Sequence, residues 1–376
     1  MTKTRIGVVF GGRSGEHEIS IRSATTVINK IDHSKFTVVP VAITGKGAWL
    51  APGESMEMLP DSAKDTLRSQ GSELPSGAAM FSCDTRFQGL RVYGDGGEAA
   101  EVPLDVVFPV LHGTYGEDGT IQGLFEMSGI PYVGCGVLAS SCGMDKVFMK
   151  SLFRDADLPQ CRYLWFLRSE WERDKATVIG QVGAKLGYPC FVKPANLGSS
   201  VGVSKASGPD ELEAAIVLAA AYDRKIIVEE NLDMREIECA VIGNESPEAS
   251  LPGEYIVLDE DKKFLDYTEK YAGTGNNEFV VPAKIDEGLT DRLRSMAVTA
   301  FRAIDGSGFA RVDFFLRNDN GELLINEINT IPGLTDASGF PKMWEGTGRP
   351  FGEVIEELVS LAFERQADRA KNRTDL

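Results

Sequence analysis

Short apolar runs separated by glycine and polar turn formers recur along the chain, and their spacing predicts an α/β protein. Residues 5–10 are the first such run. The glycine-rich GGRSGEHEIS that follows turns into a helix reaching about Ile31, and further strands are expected at 37–43 and 105–111. Residues 52–103 carry no long apolar run and are rich in Gly, Ser and Asp, so they read as irregular surface with a short strand near 89–93. Residues 106–111 then lead into HGTYGEDG, from His112 to Gly119, and a helix from about Thr120; a glycine-rich loop between strand and helix is where open α/β sheets place ligands. Residues 131–136 mark a boundary. Beyond it the pattern predicts a helix beginning at Met144-Asp145-Lys146 and strands within 161–205 interrupted by Gly187-Tyr-Pro189. A helix at 209–221, a strand at 225–232 with a polar end and an alternating strand from Arg235 follow. A charged surface loop with the character of a lid is expected at 259–277, and amphipathic helices at about 287–304 and 351–370.

One stretch, residues 311–333, holds too many acids for a core. Asn318, Asp319, Asn320 and Gly321 supply a turn between two strands. Side chains alternate along a strand, so Arg311 and Asp313 share one face, as do Glu327 and Asn329. A two-residue turn at Asn320-Gly321 would set Asp313 opposite Ile328 and send Glu327 to the other side. A three-residue loop, residues 319–321, sets Asp313 opposite Glu327 and Arg311 opposite Asn329. Two acids paired across a ladder repel, so a positive group is expected between them. Oxygen donors beside an arginine suit Mg²⁺ and a phosphate better than zinc. The plain alternative is a hairpin with its charges in water. Against it, Val312, Phe314, Phe315, Leu323, Leu324, Ile325 and Ile328 want a covered sheet, which turns the acids into a cleft.

Composition narrows the partners. With 376 residues, 43% of them hydrophobic, the chain is long enough for two or three domains with cores of their own. A net charge of −17 speaks against nucleic acid or an anionic membrane as a partner, so an anionic ligand must be held by local cations, helix N-termini or metal. Six cysteines, at 83, 135, 142, 161, 190 and 239, show no paired metal spacing and read as reduced thiols. With no leader-like or membrane-length apolar run, a cytoplasmic protein is expected. Gly11, Gly12 and Gly15 miss the G-x-G-x-x-G spacing, which disfavours NAD.

Local chemistry offers more. Residues 191–205, FVKPANLGSSVGVSK, read as strand, loop, strand with small residues where backbone amides could approach a phosphate, and Lys193 leads into the loop. Glu16 near a helix N-terminus either complements the helix dipole or faces the cleft and takes a ligand ammonium group. His112 is read as a positioned hydrogen-bond partner in preference to a catalytic base.

Taken in order, GGRSGEHEIS, HGTYGEDG, MDK, FVKPANLGSSVGVSK, the EEN and REIE segments, DYTEKY, ARVDFF and NEINTIPG resemble the D-alanine–D-alanine ligase family of the ATP-grasp superfamily over nearly the whole chain. The resemblance implies an α+β ATP-grasp architecture: an N-terminal Rossmann-like domain (1–138), a central ATP-grasp domain (139–230) and a C-terminal ATP-grasp domain (231–376). It implies ATP between the last two domains. Lys146 and Lys193 would meet its phosphates, with Ser199 and Ser200 in the loop folded over them. Glu229, Glu230 and Leu232 would lie at the adenine edge, Glu236 at the ribose, and Lys270 beside the transferring phosphoryl group. Two Mg²⁺ (or Mn²⁺) ions would be held by Asp313, Glu327 and Asn329, with Glu327 bridging.

On the substrate side, the resemblance places a first D-alanine with its ammonium near Glu16, in a site shared with His112. Arg311 and the Gly333 amide would form the oxyanion site. Ser199 and Tyr271, linked to Glu16, would close loop and lid against water. Ser338 and Gly339 would neighbour the second substrate. The implied product is D-alanyl-D-alanine for peptidoglycan precursor synthesis, made through an acyl phosphate by a homodimer with no nucleic-acid or membrane partner. The Lys270-Tyr271 pair looks like the dipeptide-forming type. Gly339, where relatives commonly carry a bulkier side chain, leaves D-serine or D-lactate as alternative acceptors, and another ATP-grasp carboxylate–amine ligase or a regulatory nucleotide-binding protein as rival readings.

Overall fold

The first apolar run becomes strand Thr4–Gly11, the middle of a three-stranded parallel sheet between Phe36–Ile43 and Val106–Val110. Both faces of this sheet are covered, which is why its strands are apolar at nearly every position. Gly11, at φ 88, then turns the chain into helix His17–Lys30 where an added Cβ would lie 2.3 Å from the Ile43 carbonyl oxygen. The computed structural model describes residues 3–71, 74–94, 99–198, 200–257 and 277–373. Ser199, Lys270, Tyr271 and most of the expected lid lie outside the described residues.

Residues 52–103 are more ordered than their composition suggests. They form helices Pro52–Glu57 and Asp61–Ser69 and a meander of Ala78–Phe81, Gly89–Tyr93 and Ala99–Pro103. The second helix buries only Ala63 and Leu67, and the outer strands are mostly exposed, so neither leaves a marked apolar period in the sequence.

The central sheet is antiparallel, in the order Tyr163–Leu167, Lys225–Glu230, Cys190–Pro194, Ser204–Ala206. Its own core gathers Val182, Val192, Leu212, Ile216 and Val228. Reading only strands in 161–205 misses helices Arg168–Arg173 and Lys175–Lys185. The longer one buries Val178 and Val182 alone and depends on its N-cap, where Asp174 accepts from the Thr177 amide at 3.0 Å.

The third sheet runs Asn277–Val280, Gly253–Val257, Met234–Gly243, Gly308–Arg317, Leu323–Asn329, with Glu248–Ala249 added beside Met234–Gly243. Helix Glu287–Ala303 covers one face, its Leu293, Ala297 and Phe301 sharing a core with Val312 and Phe314. Helix Lys146–Asp155 joins the two sheets: Met149 and Phe153 enter this core, while Val147 meets Ala195 and Ile227 of the central sheet. Helices Gly339–Gly346 and Phe351–Arg369 return to the N-terminal sheet, where Trp344, Val354 and Leu358 pack with Val8, Phe10 and Val27. Arg365 fastens the last helix there, donating to the Tyr132 carbonyl at 2.8 Å and lying over the Tyr132 ring.

The acid-bearing hairpin reaches its expected register by an unexpected route. Its loop has four residues, 318–321, closed by Arg317 and Glu322, with Gly321 at φ 71. Such a loop alone would place Asp313 opposite Asn326. An irregularity between Asp313 and Phe314 absorbs one extra residue, Asn326, in the second strand, so Phe314 pairs with Ile325 but Asp313 with Glu327 and Arg311 with Asn329.

Candidate active site

A cleft between the central and C-terminal sheets, closed at one end by the N-terminal loops, collects most of the expected residues. The hairpin supplies its floor. Because Glu238 pairs with Asp313 and Asp313 with Glu327, three carboxylates form one row across neighbouring strands. Such a row needs cations. Arg311 grips Asp313 with two bonds of 2.7 Å and lies 3.4 Å from Glu238, while Lys146 sits 3.5 Å from Glu327. Asn329 donates to Asp313 at 3.0 Å.

Asp313, Glu327 and Asn329 are therefore two carboxylates and an amide on one wall, the hard oxygen set that a divalent ion shares with phosphate oxygens. The donor set fits Mg²⁺ or Mn²⁺. Among the described residues no group of three His, Cys, Asp or Glu is placed to hold a metal ion by itself.

Toward the central sheet the cleft becomes an apolar slot. Leu232 and Met234 pack with Phe315 and Leu324, and Phe191 also lines the cleft. At its head Lys193 donates to Glu229 at 2.6 Å. Arg162 holds the Glu230 carboxylate from the rim, at 2.8 Å from its Nε. Glu236 and Ser200 also line the cleft. Lys146 reaches the carbonyl of Leu197 at 3.0 Å, which ties the glycine loop to the helix that Asp145 caps.

At the opposite end stand Glu16, His112, Arg311 and Gly333. Glu16 is the N-cap residue of helix His17–Lys30 but makes no side-chain cap bond; its carboxylate faces inward. An added Cβ at Gly113 would come within 2.6 Å of Glu16 Oε2, and one at Gly198 within 3.2 Å, so the acid is packed between the N-terminal loop and the glycine loop.

His112 is buried, and its two bonds fix its tautomer. Nδ1–H donates to the Ile331 carbonyl at 2.9 Å, and Nε2 accepts from the Ser23 hydroxyl at 3.0 Å. Ser23 in turn accepts from the Leu334 amide at 3.2 Å. Burial lowers the imidazole pKa and keeps it neutral. This is a brace that holds residues 331–334, including Gly333, against helix His17–Lys30 and the loop after strand Val106–Val110.

Three residues outside the expected set belong to the picture. Glu238 lies two positions from Glu236 on one strand, hence on the same face. Lys150 lies one helical turn beyond Lys146. Glu117, inside HGTYGEDG, lines the cleft and accepts from the Gly113 amide at 2.8 Å. By contrast Ser338 and Gly339 are buried off the cleft wall, Ser338 bonded to Thr335 at 2.8 Å. The space a side chain at Gly339 would need is filled, with Glu238 Oε2 at 2.3 Å and Phe279 at 2.9 Å from an added Cβ.

Burial, and then the charge of Glu16, push the Glu117 carboxyl from its ordinary 4.5 up to about 8. The folded chain thus keeps a proton that the unfolded chain loses between those values, and stability falls as pH rises through that window. Glu117→Gln mimics the protonated acid. The variant is expected to melt with the wild type near pH 4.5 and several degrees above it at pH 8, read by calorimetry across that range; parallel melting curves would refute the raised pKa.

Two antiparallel-rich sheets gripping a cleft, with a hard-oxygen hairpin on one side and a lysine-bearing glycine loop on the other, define the class: an ATP-dependent ligase of the ATP-grasp fold. The comparisons with known proteins agree. The model for "D-ala D-ala ligase N-terminus" matches residues 5–135 and that for "D-ala D-ala ligase C-terminus" residues 152–360. A D-alanine–D-alanine ligase of Heliobacterium modesticaldum is 48% identical, covering 100% of this chain and 99% of that protein, and one of Bacillus licheniformis is 47% identical over 98% of each. The solved D-alanine-D-alanine ligase from Coxiella burnetii superposes with TM-score 0.80 at 33% identity, over 98% of each chain. The VanG D-Ala:D-Ser ligase from Enterococcus faecalis does so with TM-score 0.80 at 34%, covering 96% of this chain and 100% of that one. The chain belongs to the D-alanine–D-alanine ligase family. Among its described residues no helix is long and apolar enough to cross a membrane.

Proposed function

We propose that this ligase joins two D-alanines into D-alanyl-D-alanine, for peptidoglycan precursors, in the cleft between its two larger sheets. The observation that carries the reading is the convergence on one cavity of the Asp313–Glu327–Asn329 wall, two lysines, and the Glu16–Arg311–Gly333 end. The apolar slot at Leu232 and Phe315 takes the adenine, with Glu229 and Glu230 at its edge and Glu236 toward the ribose. Lys193 and Lys146 take the phosphates, joined by Ser199, Ser200 and Lys270. Asp313, Glu327 and Asn329 would hold two divalent ions, Mg²⁺ or Mn²⁺. Metal bound there would supply positive charge to the phosphoryl group in transfer.

The first D-alanine sets its ammonium on Glu16. One of its carboxylate oxygens attacks the γ-phosphorus, the bond to the β–γ bridging oxygen breaks, and ADP leaves behind an acyl phosphate. The amine of the second D-alanine then attacks the acyl carbon. Arg311 and the Gly333 amide stabilise the oxyanion, the carbon–oxygen bond to phosphate breaks, the nitrogen gives up a proton, and the dipeptide forms. His112 acts through the 331–334 loop, holding the Gly333 amide in place. Ser199 and Tyr271 complete a closure over Glu16 that excludes water.

A homodimer and a cytoplasmic setting accord with family membership.

Phosphate release from Mg-ATP, with D-alanine alone and with added D-serine or D-lactate and products identified by mass, tests the reading. D-alanyl-D-alanine is expected as the main product throughout. A mixed dipeptide or depsipeptide would move the acceptor, and no D-alanine-dependent release would overturn the assignment.

A further inference from the structure

Lys150 is 1% exposed and does not reach the cleft, yet it carries a charge. It sits one turn after Lys146 on helix Lys146–Asp155, so one helix face delivers two lysines. Lys146 goes to the hairpin acids, and Lys150 points toward the nucleotide slot, with its Nζ 2.9 Å from Glu229 Oε1, 3.7 Å from Cys161 Sγ and 5.4 Å from the Tyr163 ring centre. The other oxygen of Glu229 accepts from Lys193 at 2.6 Å. Lys193 pairs with Ile227 in the ladder, which makes it a diagonal neighbour of Glu229 on the same sheet face. One carboxylate is thereby shared by two lysines from different elements, and the buried cluster has a net charge of +1.

That excess charge has a use. Lys193 and Glu229 both line the cleft, and alone they would form a closed neutral pair with nothing left over for an anion. Lys150 occupies the second oxygen of the carboxylate from behind. Burial alone would raise the Glu229 pKa, but Lys150 and Lys193 together hold it well below the carboxylate range, and Lys150, on the oxygen that Lys193 does not use, stays as its ion partner when Lys193 turns away.

We propose that Lys150 is a positioning residue for the nucleotide: its charge neutralises Glu229 from outside the cleft and so releases Lys193 to the phosphates. The inference rests on the nucleotide site proposed above. It places a working residue where no substrate touches.

The test is binding of MgADP to the full chain by calorimetry at fixed ionic strength, with melting curves as a fold control. Lys150→Met and Lys150→Gln are expected to weaken binding about tenfold, because both lose the charge although glutamine keeps a donor for Glu229. In a Glu229→Gln background, where Lys193 is no longer held, the same Lys150 substitutions are expected to cost less than about threefold. An equal cost in both backgrounds, or K150Q within about twofold of wild type, would overturn the proposal. If K150M fails to fold, K150Q alone and with Glu229→Gln completes the cycle. Lys193→Met separates the two layers. If it too binds MgADP like the wild type, the nucleotide assignment itself has failed; if it binds weakly while K150M and K150Q bind normally, only the role of Lys150 has.

Discussion

Glu327→Ala is expected to lower turnover by at least about a thousandfold while the protein melts within a few degrees of the wild type. The two effects separate because of where the carboxylate stands. Its side chain is 27% exposed in the cleft, its charged neighbour Lys146 is 3.5 Å away, and the opposing residue in the ladder is another acid, Asp313. Removing one of two facing carboxylates relieves repulsion and offsets the lost ion pair, which leaves a small net change in stability. For catalysis there is no such offset, since Glu327 is one of the three residues proposed to hold the divalent ions, whose charge would neutralise the transferring phosphoryl group. Phosphate release with D-alanine, alongside a melting curve, reads both. A rate within about tenfold of wild type would remove the metal assignment.

How this site is legible in sequence depends on which physical signal each residue carries. Alternation along each strand was enough to put Arg311 with Asp313 and Glu327 with Asn329, and the covered apolar flanks to turn both pairs toward a cleft. The loop chemistry was not: a four-residue loop and an irregularity at Asn326 replace the three-residue loop, and two one-residue differences cancel at the acids. Residues 52–103 were hidden for another reason, because elements that bury one or two side chains leave no period to detect. At Gly339, where a smaller residue than in relatives was expected to leave the acceptor open, Glu238 and Phe279 stand against the position of an added Cβ, and a sequence cannot show what packs onto a missing side chain. The brace from His112 through Ser23 to Leu334 joins residues up to 311 positions apart. Its chemistry was legible at His112; its partners belong to the fold.

Arg311→Met is expected to damage stability and rate together, and Arg311→Lys to separate them. Arg311 is 9% exposed and answers two acids at once, gripping Asp313 through two bonds and lying 3.4 Å from Glu238. Methionine keeps the bulk but removes the arginine that answers two of a row of three carboxylates, at a cost of about 3 kcal/mol in unfolding free energy. Lysine restores the positive charge and most of that loss. It does not restore the planar fork, which alone can hold Asp313 through two parallel bonds while presenting a further N–H to an oxyanion. The rate of Arg311→Lys is therefore expected to stay at least about a hundredfold below wild type. Adding Mg²⁺ and ADP supplies the missing positive charge at Asp313, so the melting temperature of Arg311→Met should rise more than that of the wild type under the same addition. If Arg311→Lys instead turns over at a near-normal rate, charge alone suffices, and the oxyanion role belongs to the Gly333 amide that His112 and Ser23 hold in place.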